Sequence, residues 1–169
     1  MSPFLPTTIL RHRKENLKKC SLRGLENQKD LLFYTYPLNE LISLNGYVML
    51  HLDQENTQEL SIKDKDYGLF LLDSTWNYEI KMHESIKKNH TLIYRSLPTG
   101  FVTAYPRKQT SCLEPERGLS TVEALYIAYT ILERDTQNLL NHYHWKEDFL
   151  KKNKTLFDLI KQSPSTTIS

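Results

Sequence analysis

The sequence predicts an α/β fold in which strands alternate with helices over the first two thirds, followed by a helical C-terminal part. Three observations carry this. The run YGLFLL at 67–72 is apolar throughout, as a strand of a parallel sheet buried on both faces must be. Directly after it, STWNYEIKMHESIKKN at 74–89 has helical spacing, with Trp76, Ile80, His83 and Ile86 or Lys87 on one face. Further on, LSTVEALYIAYTILERD at 119–135 is apolar nearly all round, the mark of a buried helix. Ser120 with Glu123 three residues later gives it a capping box, in which each side chain meets the other's backbone N–H.

The other elements follow in order. LLFYTY at 31–36 reads as a strand ended by Pro37. PLNELISLNG at 37–46 has helical spacing at Leu38, Leu41 and Ile42 and stops at Asn-Gly, so a helix is expected there. YVMLHL at 47–52 is a further strand, and DQENTQELSIKDKD at 53–66 a polar loop or weak surface strand. TLIYRSL at 91–97 and GFVTAY at 100–105 read as strands on either side of Pro98. PRKQTSCLEPERG at 106–118 is a long polar loop with two prolines, a length often tied to function or mobility. One last helix is expected at 143–162, with Trp145, Phe149, Leu156 and Ile160 on a stripe, and then a polar, disordered tail. The expected division is an α/β part at 1–105, a loop and helical part at 106–163, and the tail at 164–169.

Composition bounds the function. A chain of 169 residues with 39% hydrophobic content suits one domain, or a small two-part unit, with a real core. No apolar run is long enough to cross a bilayer. The opening MSPFLPTTILRHRK carries its charges after its short apolar piece, unlike a signal peptide, so a cytoplasmic location is expected. Cys20 and Cys112 are too few for a four-cysteine zinc site, and in a reducing compartment no disulfide is expected. The net charge of +2 hides a concentration: RHRKENLKK at 11–19 sets five basic residues against Glu15, and Arg107–Lys108 adds a second group. Such a segment is either a solvated arm or a footprint for nucleic-acid phosphates.

Three stretches can carry chemistry. Asp73 ends the buried strand, where open α/β sheets place their ligands, and Trp76 stands one turn on, able to stack on a base or cover a cofactor. Equally, Asp73 can be the N-cap of the next helix and Trp76 a core residue. The start of the buried helix, GLST at 118–121, offers backbone N–H groups to a carboxylate or phosphate, or is an ordinary cap. KKCSLRGL at 18–25 surrounds Cys20 with cations, which either lower its thiol pKa or simply flank a small buried residue. His142 and His144 in HYHW are two apart and share no helical face, so no metal is expected. There is no glycine-rich phosphate loop, no dinucleotide fingerprint and no nucleophile elbow.

NLKKCSLRGL, LLDSTW, RSLP and LSTVEA, in this order over roughly 11–135, resemble the RNA aminocarboxypropyltransferases. KKCS and RSLP look like the branch that acts on small-subunit rRNA; DSTW and LSTVEA look as much like the DTW-domain branch that acts on tRNA uridine. The chain departs from the DTW pattern in lacking its N-terminal cysteine cluster, and from the rRNA branch in having AYPRKQTSC where that branch carries an Asn-Pro pair. The resemblance implies a SPOUT-like knotted sheet and a pocket for S-adenosylmethionine (SAM). It implies transfer of the 3-amino-3-carboxypropyl group to N3 of a uridine-type base in rRNA or tRNA. It assigns Asp73 as base or cofactor ligand, and Ser21, Trp76, Leu97, Tyr105, Leu119, Ser120 and Thr121 to the cofactor. Lys19, Arg23 and Arg95 are assigned to RNA phosphates. A monomer acting on RNA, such as a ribosomal-subunit precursor, is expected. The competing readings are a SPOUT-type RNA methyltransferase and a non-catalytic ribosome-assembly factor.

Overall fold

Five parallel strands make one sheet in the order β2-β1-β4-β3-β5. They are β1 (Thr7–His12), β2 (Leu31–Tyr36), β3 (Tyr47–Leu50), β4 (Gly68–Asp73) and β5 (Ile93–Arg95). The computed structural model describes residues 4–51, 57–106 and 118–162. Because every pairing is parallel, the carboxyl ends of all five strands lie along one edge of the sheet. The register sets Arg11 beside Asp73 and His12 beside Tyr36 at that edge.

Side chains alternate between two cores, as strand geometry requires. Ile9, Val48, Leu69 and Leu71 face a large cluster that includes α2 (Thr121–Ile131), α3 (Lys146–Lys152) and α4 (Lys154–Gln162). Leu10, Met49 and Phe70 face a smaller one with α1 (Trp76–Asn89). The apolar run of β4 is therefore buried on both faces, and α2 is buried along most of its length.

Several expectations are corrected. β1 was not expected at all, yet it lies next to the central strand and all six of its residues are buried. Only Ile9 and Leu10 of the six are aliphatic, and three of the others have polar partners: Thr7 Oγ1 bonds the Tyr129 hydroxyl at 2.7 Å, Arg11 bonds Asp73, and His12 Nδ1 accepts from Lys14 N. The helix expected at 37–46 is absent. That segment is irregular and buries Ile42 and Leu44, a spacing of two rather than of a helix, while Leu41 is 94% exposed. Helix α1 turns Met82 and Ile86, with Tyr78, toward the sheet, whereas Trp76 and Ile80 are 40% and 58% exposed. Residues 100–105 are irregular rather than a strand, and the helix at 143–162 breaks into two at Asn153.

The last two corrections share one cause. Asn153 is buried; its Oδ1 accepts from Val102 N at 2.7 Å and its Nδ2 donates to Val102 O at 2.8 Å and Phe149 O at 2.9 Å. One amide side chain thus takes over the bonds a neighbouring strand would have given Val102. The stretch at 53–66 contributes a 3₁₀ turn, Ile62–Asp64, with a Ser61/Asp64 capping box. Most of the loop at 106–118, with Cys112 and Arg107–Lys108, and the tail at 164–169 lie outside the described residues. Among the described residues, no helix is long and apolar enough to cross a membrane.

Candidate functional site

Asp73 is the centre of the site. It ends β4, its neighbour Arg11 comes near the end of β1, and parallel pairing brings the two side chains together. Arg11 Nε donates to Asp73 Oδ2 at 3.0 Å, and Arg11 Nη1 also meets Glu26 at 3.5 Å. The Cys20 thiol donates to Asp73 Oδ2 at 3.2 Å. Thr121 Oγ1, in the first turn of α2, donates to Asp73 Oδ1 at 3.0 Å. Asp73 is 4% exposed and both its oxygens are engaged. It does not cap α1: Thr75 holds that position and makes no side-chain cap bond.

The loop after β1 and the start of α2 interlock. Ser21 Oγ accepts from Val122 N at 3.2 Å, satisfying one of the free donors at the helix start. Tyr105 O–H donates to Lys19 O at 3.0 Å. Gly24 sits at φ +90 against the His142 ring, where a Cβ would come within 2.4 Å, so the loop's turn needs glycine. Of the residues assigned from the sequence, Ser21, Asp73, Tyr105, Ser120 and Thr121 are joined in this network. Leu97 belongs to the large core and Leu119 packs against it. Trp76 opens α1, exposed, three residues past Asp73.

Glu123 locks the site from behind. It is fully buried, and its Oε1 accepts from Thr103 Oγ1 at 2.6 Å and from Ser120 N at 2.8 Å, while Oε2 accepts from Ala104 N at 2.8 Å. Ser120 Oγ accepts in turn from Glu123 N at 3.4 Å, so both halves of the capping box are present. A carboxylate in the first turn also suits the helix dipole.

The electrostatics decide between the readings of Cys20. Burial, with Asp73 adding to it, pushes its thiol up to about 12, so it stays protonated at neutral pH and acts as a donor rather than a nucleophile. Burial raises the Glu15 carboxyl too, with Asp73 again adding and Arg11 opposing. Ligand atoms of Glu15, Cys20 and Asp73 lie within 4.8 Å of one another, but the Arg11 guanidinium already supplies a cation there.

The basic segment at 11–19 is split. Arg11 is buried in the Asp73 network, whereas Arg13, Lys14, Lys18 and Lys19 are exposed beside it, as is Arg23. Arg95 is held by Asp64 Oδ1 at 3.1 Å and the Tyr94 carbonyl at 2.9 Å, on the edge strand. Sequence reasoning missed Arg11 and Glu15 as site residues and Glu123 as the clamp on 103–104. Their signals depend on β1 and on the path of 100–105, neither of which local pattern revealed.

Comparison with known proteins follows from this geometry. A family model described as the C-terminal domain of ribosome biogenesis proteins matches residues 50–167. The chain belongs to that family. No curated protein sequence matches it. Among solved structures, the SAM-dependent rRNA:acp-transferase Tsr3 from Vulcanisaeta distributa is similar, with a TM-score of 0.66 at 20% identity over 94% of this chain and 84% of that one. At that identity the likeness is one of fold. In this member of the ribosome biogenesis family, the matched region holds Asp73 and the start of α2, while Arg11, Glu15, Cys20 and Ser21 come from residues ahead of it.

Proposed function

We propose that the chain is a SAM-dependent aminocarboxypropyltransferase that modifies N3 of a uridine-type base in rRNA. The observation that carries this is the union of Ser21, Asp73 and Thr121 at the carboxyl edge of the sheet, where α/β folds bind ligands. The fold similarity to a SAM-dependent rRNA:acp-transferase supports it, and membership of a ribosome biogenesis family favours rRNA over tRNA. The reading includes a SPOUT-like knotted path and a monomer, with 1–105 binding RNA and SAM and 106–163 completing the pocket.

The residues present suit SAM. Asp73 and Glu26 both pair with the Arg11 guanidinium and Glu15 lies close by, so carboxylates outnumber cations among these residues, and SAM carries one net positive charge. SAM supplies a sulfonium with three activated carbons; which of them meets the acceptor is a matter of orientation. Asp73, with both oxygens already bonded, is assigned to orienting the loop after β1 and the start of α2 around the ligand rather than to proton abstraction. Ser120, Thr121 and Leu119 line the adenosine side, with Leu97 and Tyr105 behind. Trp76 offers an exposed ring for stacking. Lys19 and Arg23, with Arg13, Lys14 and Lys18, meet RNA phosphates. Arg95 is already committed to Asp64 and holds the sheet edge instead. The target is single-stranded or looped RNA, since a base edge must be exposed.

The test uses purified protein, rRNA and SAM labelled either on the carboxyl carbon or on the methyl carbon. Carboxyl label alone entering RNA supports the proposal. Methyl label alone assigns the chain to RNA methylation, and neither label entering, with no SAM binding, to an assembly factor.

A further inference from the structure

Glu15 is a partly buried carboxyl that the reading above leaves without a task. It lies in the turn after β1, where its N–H donates to the His12 carbonyl at 2.9 Å. Its carboxyl oxygen is within 4.8 Å of both Asp73 and Cys20. Asp73 is satisfied by Arg11, Cys20 and Thr121, and Arg11 forms its ion pairs with Asp73 and Glu26. Among the described residues, the Glu15 side chain makes no hydrogen bond or ion pair. A carboxyl drawn into such a site without a partner is placed to receive a cationic group from a ligand.

We propose that Glu15 receives the α-ammonium of SAM and so holds the aminocarboxypropyl chain with its Cγ, rather than the methyl group, toward the RNA base. This rests on the function proposed above. The ammonium is the better partner than the sulfonium on physical grounds. A carboxylate at the sulfonium would stabilise a charge that vanishes as the Cγ–S bond breaks, and so would oppose transfer. The ammonium keeps its charge before and after, so a contact there fixes geometry at no cost to the barrier. The groups facing Glu15 are Asp73, which favours its protonated form, Arg11, which favours the carboxylate, and the neutral Cys20 thiol. Affinity for SAM therefore rises with pH as the raised Glu15 carboxyl loses its proton.

The experiment is calorimetric binding of SAM, S-adenosylhomocysteine and methylthioadenosine to the full chain and to E15Q and E15D, at acidic and neutral pH. SAM and S-adenosylhomocysteine both carry the ammonium, and methylthioadenosine lacks it. E15Q is expected to weaken the first two about tenfold, the scale of one charge-assisted hydrogen bond, and to leave the third unchanged. E15D should retain part of the affinity, and E15Q should lose the rise with pH. Unchanged SAM affinity in E15Q overturns the role of Glu15, as does an equal loss for methylthioadenosine, which would mark general damage to the loop. Wild-type protein that binds neither SAM nor S-adenosylhomocysteine overturns the functional reading itself, an outcome distinct from the other two.

Discussion

Asp73 and Cys20 show how neighbours set a residue's chemistry. Replacing Asp73 by Asn keeps the shape but removes the charge facing Arg11, which retains Glu26 at 3.5 Å as a second partner. We expect D73N to fold, to lose about 1–3 kcal/mol of stability in urea titration, and to lose transfer at least about 100-fold. Full activity in a folded D73N protein would remove Asp73 from the site. Cys20, with its thiol near 12, should react with a thiol reagent at neutral pH only as fast as the protein opens, so its modification should track urea-induced unfolding. Rapid labelling of Cys20 in native protein whose other cysteine is replaced, C112S, would contradict the protonated, buried donor described here.

At the scale of elements, two side chains do what regular structure does elsewhere. Glu123 ties the start of α2 to Thr103 and Ala104 through two accepted bonds and accepts a third from Ser120 N, and Asn153 ties the break between α3 and α4 to Val102. Replacing Glu123 by Ala strands these donors in a buried site, so E123A should cost about 3 kcal/mol or more. Because Tyr105 and Ser120 flank the clamp, SAM affinity should fall along with the melting temperature. E123Q, which keeps the acceptor oxygen, should recover part of both. N153A should cost about 2–3 kcal/mol while leaving SAM affinity nearly intact, since it acts on the far end of the 101–105 segment. These two clamps also explain why the strand at 100–105 and the single helix at 143–162 were expected in error. The apolar run of GFVTAY is a strand pattern, but side chains distant in sequence capture its backbone bonds.

For the whole molecule, pH reports on groups on either side of α1. Burial, then Lys87, lowers the pKa of His83, whose Nε2 lies 2.6 Å from the Tyr94 hydroxyl; burial, then Arg13 and Lys14, lowers that of His12, stacked on Tyr78 at 3.9 Å. A histidine lowered in the folded state is protonated first in the unfolded state. Stability is therefore full above the unfolded value of about 6.5 and falls as pH drops from there toward the folded values. The raised Glu15 carboxyl acts with the opposite sign, so the informative quantity is the difference between wild type and H83Q. Urea midpoints at pH 5 and pH 7.5 should separate more in wild type than in H83Q; equal separations would exclude His83 as a contributor. The same scale holds the surface we propose for RNA, where exposed Arg13, Lys14, Lys18 and Lys19 border the Asp73 network.

Local pattern alone determined the α/β class, the doubly buried strand of β4, and helix α2 with both halves of its capping box. Each follows from periodicity or from contacts within four residues, which a single segment carries whole. It also marked Asp73 at the end of β4, whereas Ser21 and Thr121 were assigned through the family resemblance, and their union with Asp73 was not foreseen. Only the tertiary structure decided that Thr7–His12 is a strand, because two of its buried polar residues, Thr7 and Arg11, find their partners in Tyr129 and Asp73, far away in sequence. Only it decided which row of α1 faces the sheet: Tyr78, Met82 and Ile86 compete with an equally apolar Trp76–Ile80 row, and packing against Leu10, Met49 and Phe70 breaks the tie. And only it turned Arg11 from one charge in a basic run into the partner of Asp73, since that pairing exists once parallel register lays β1 beside β4.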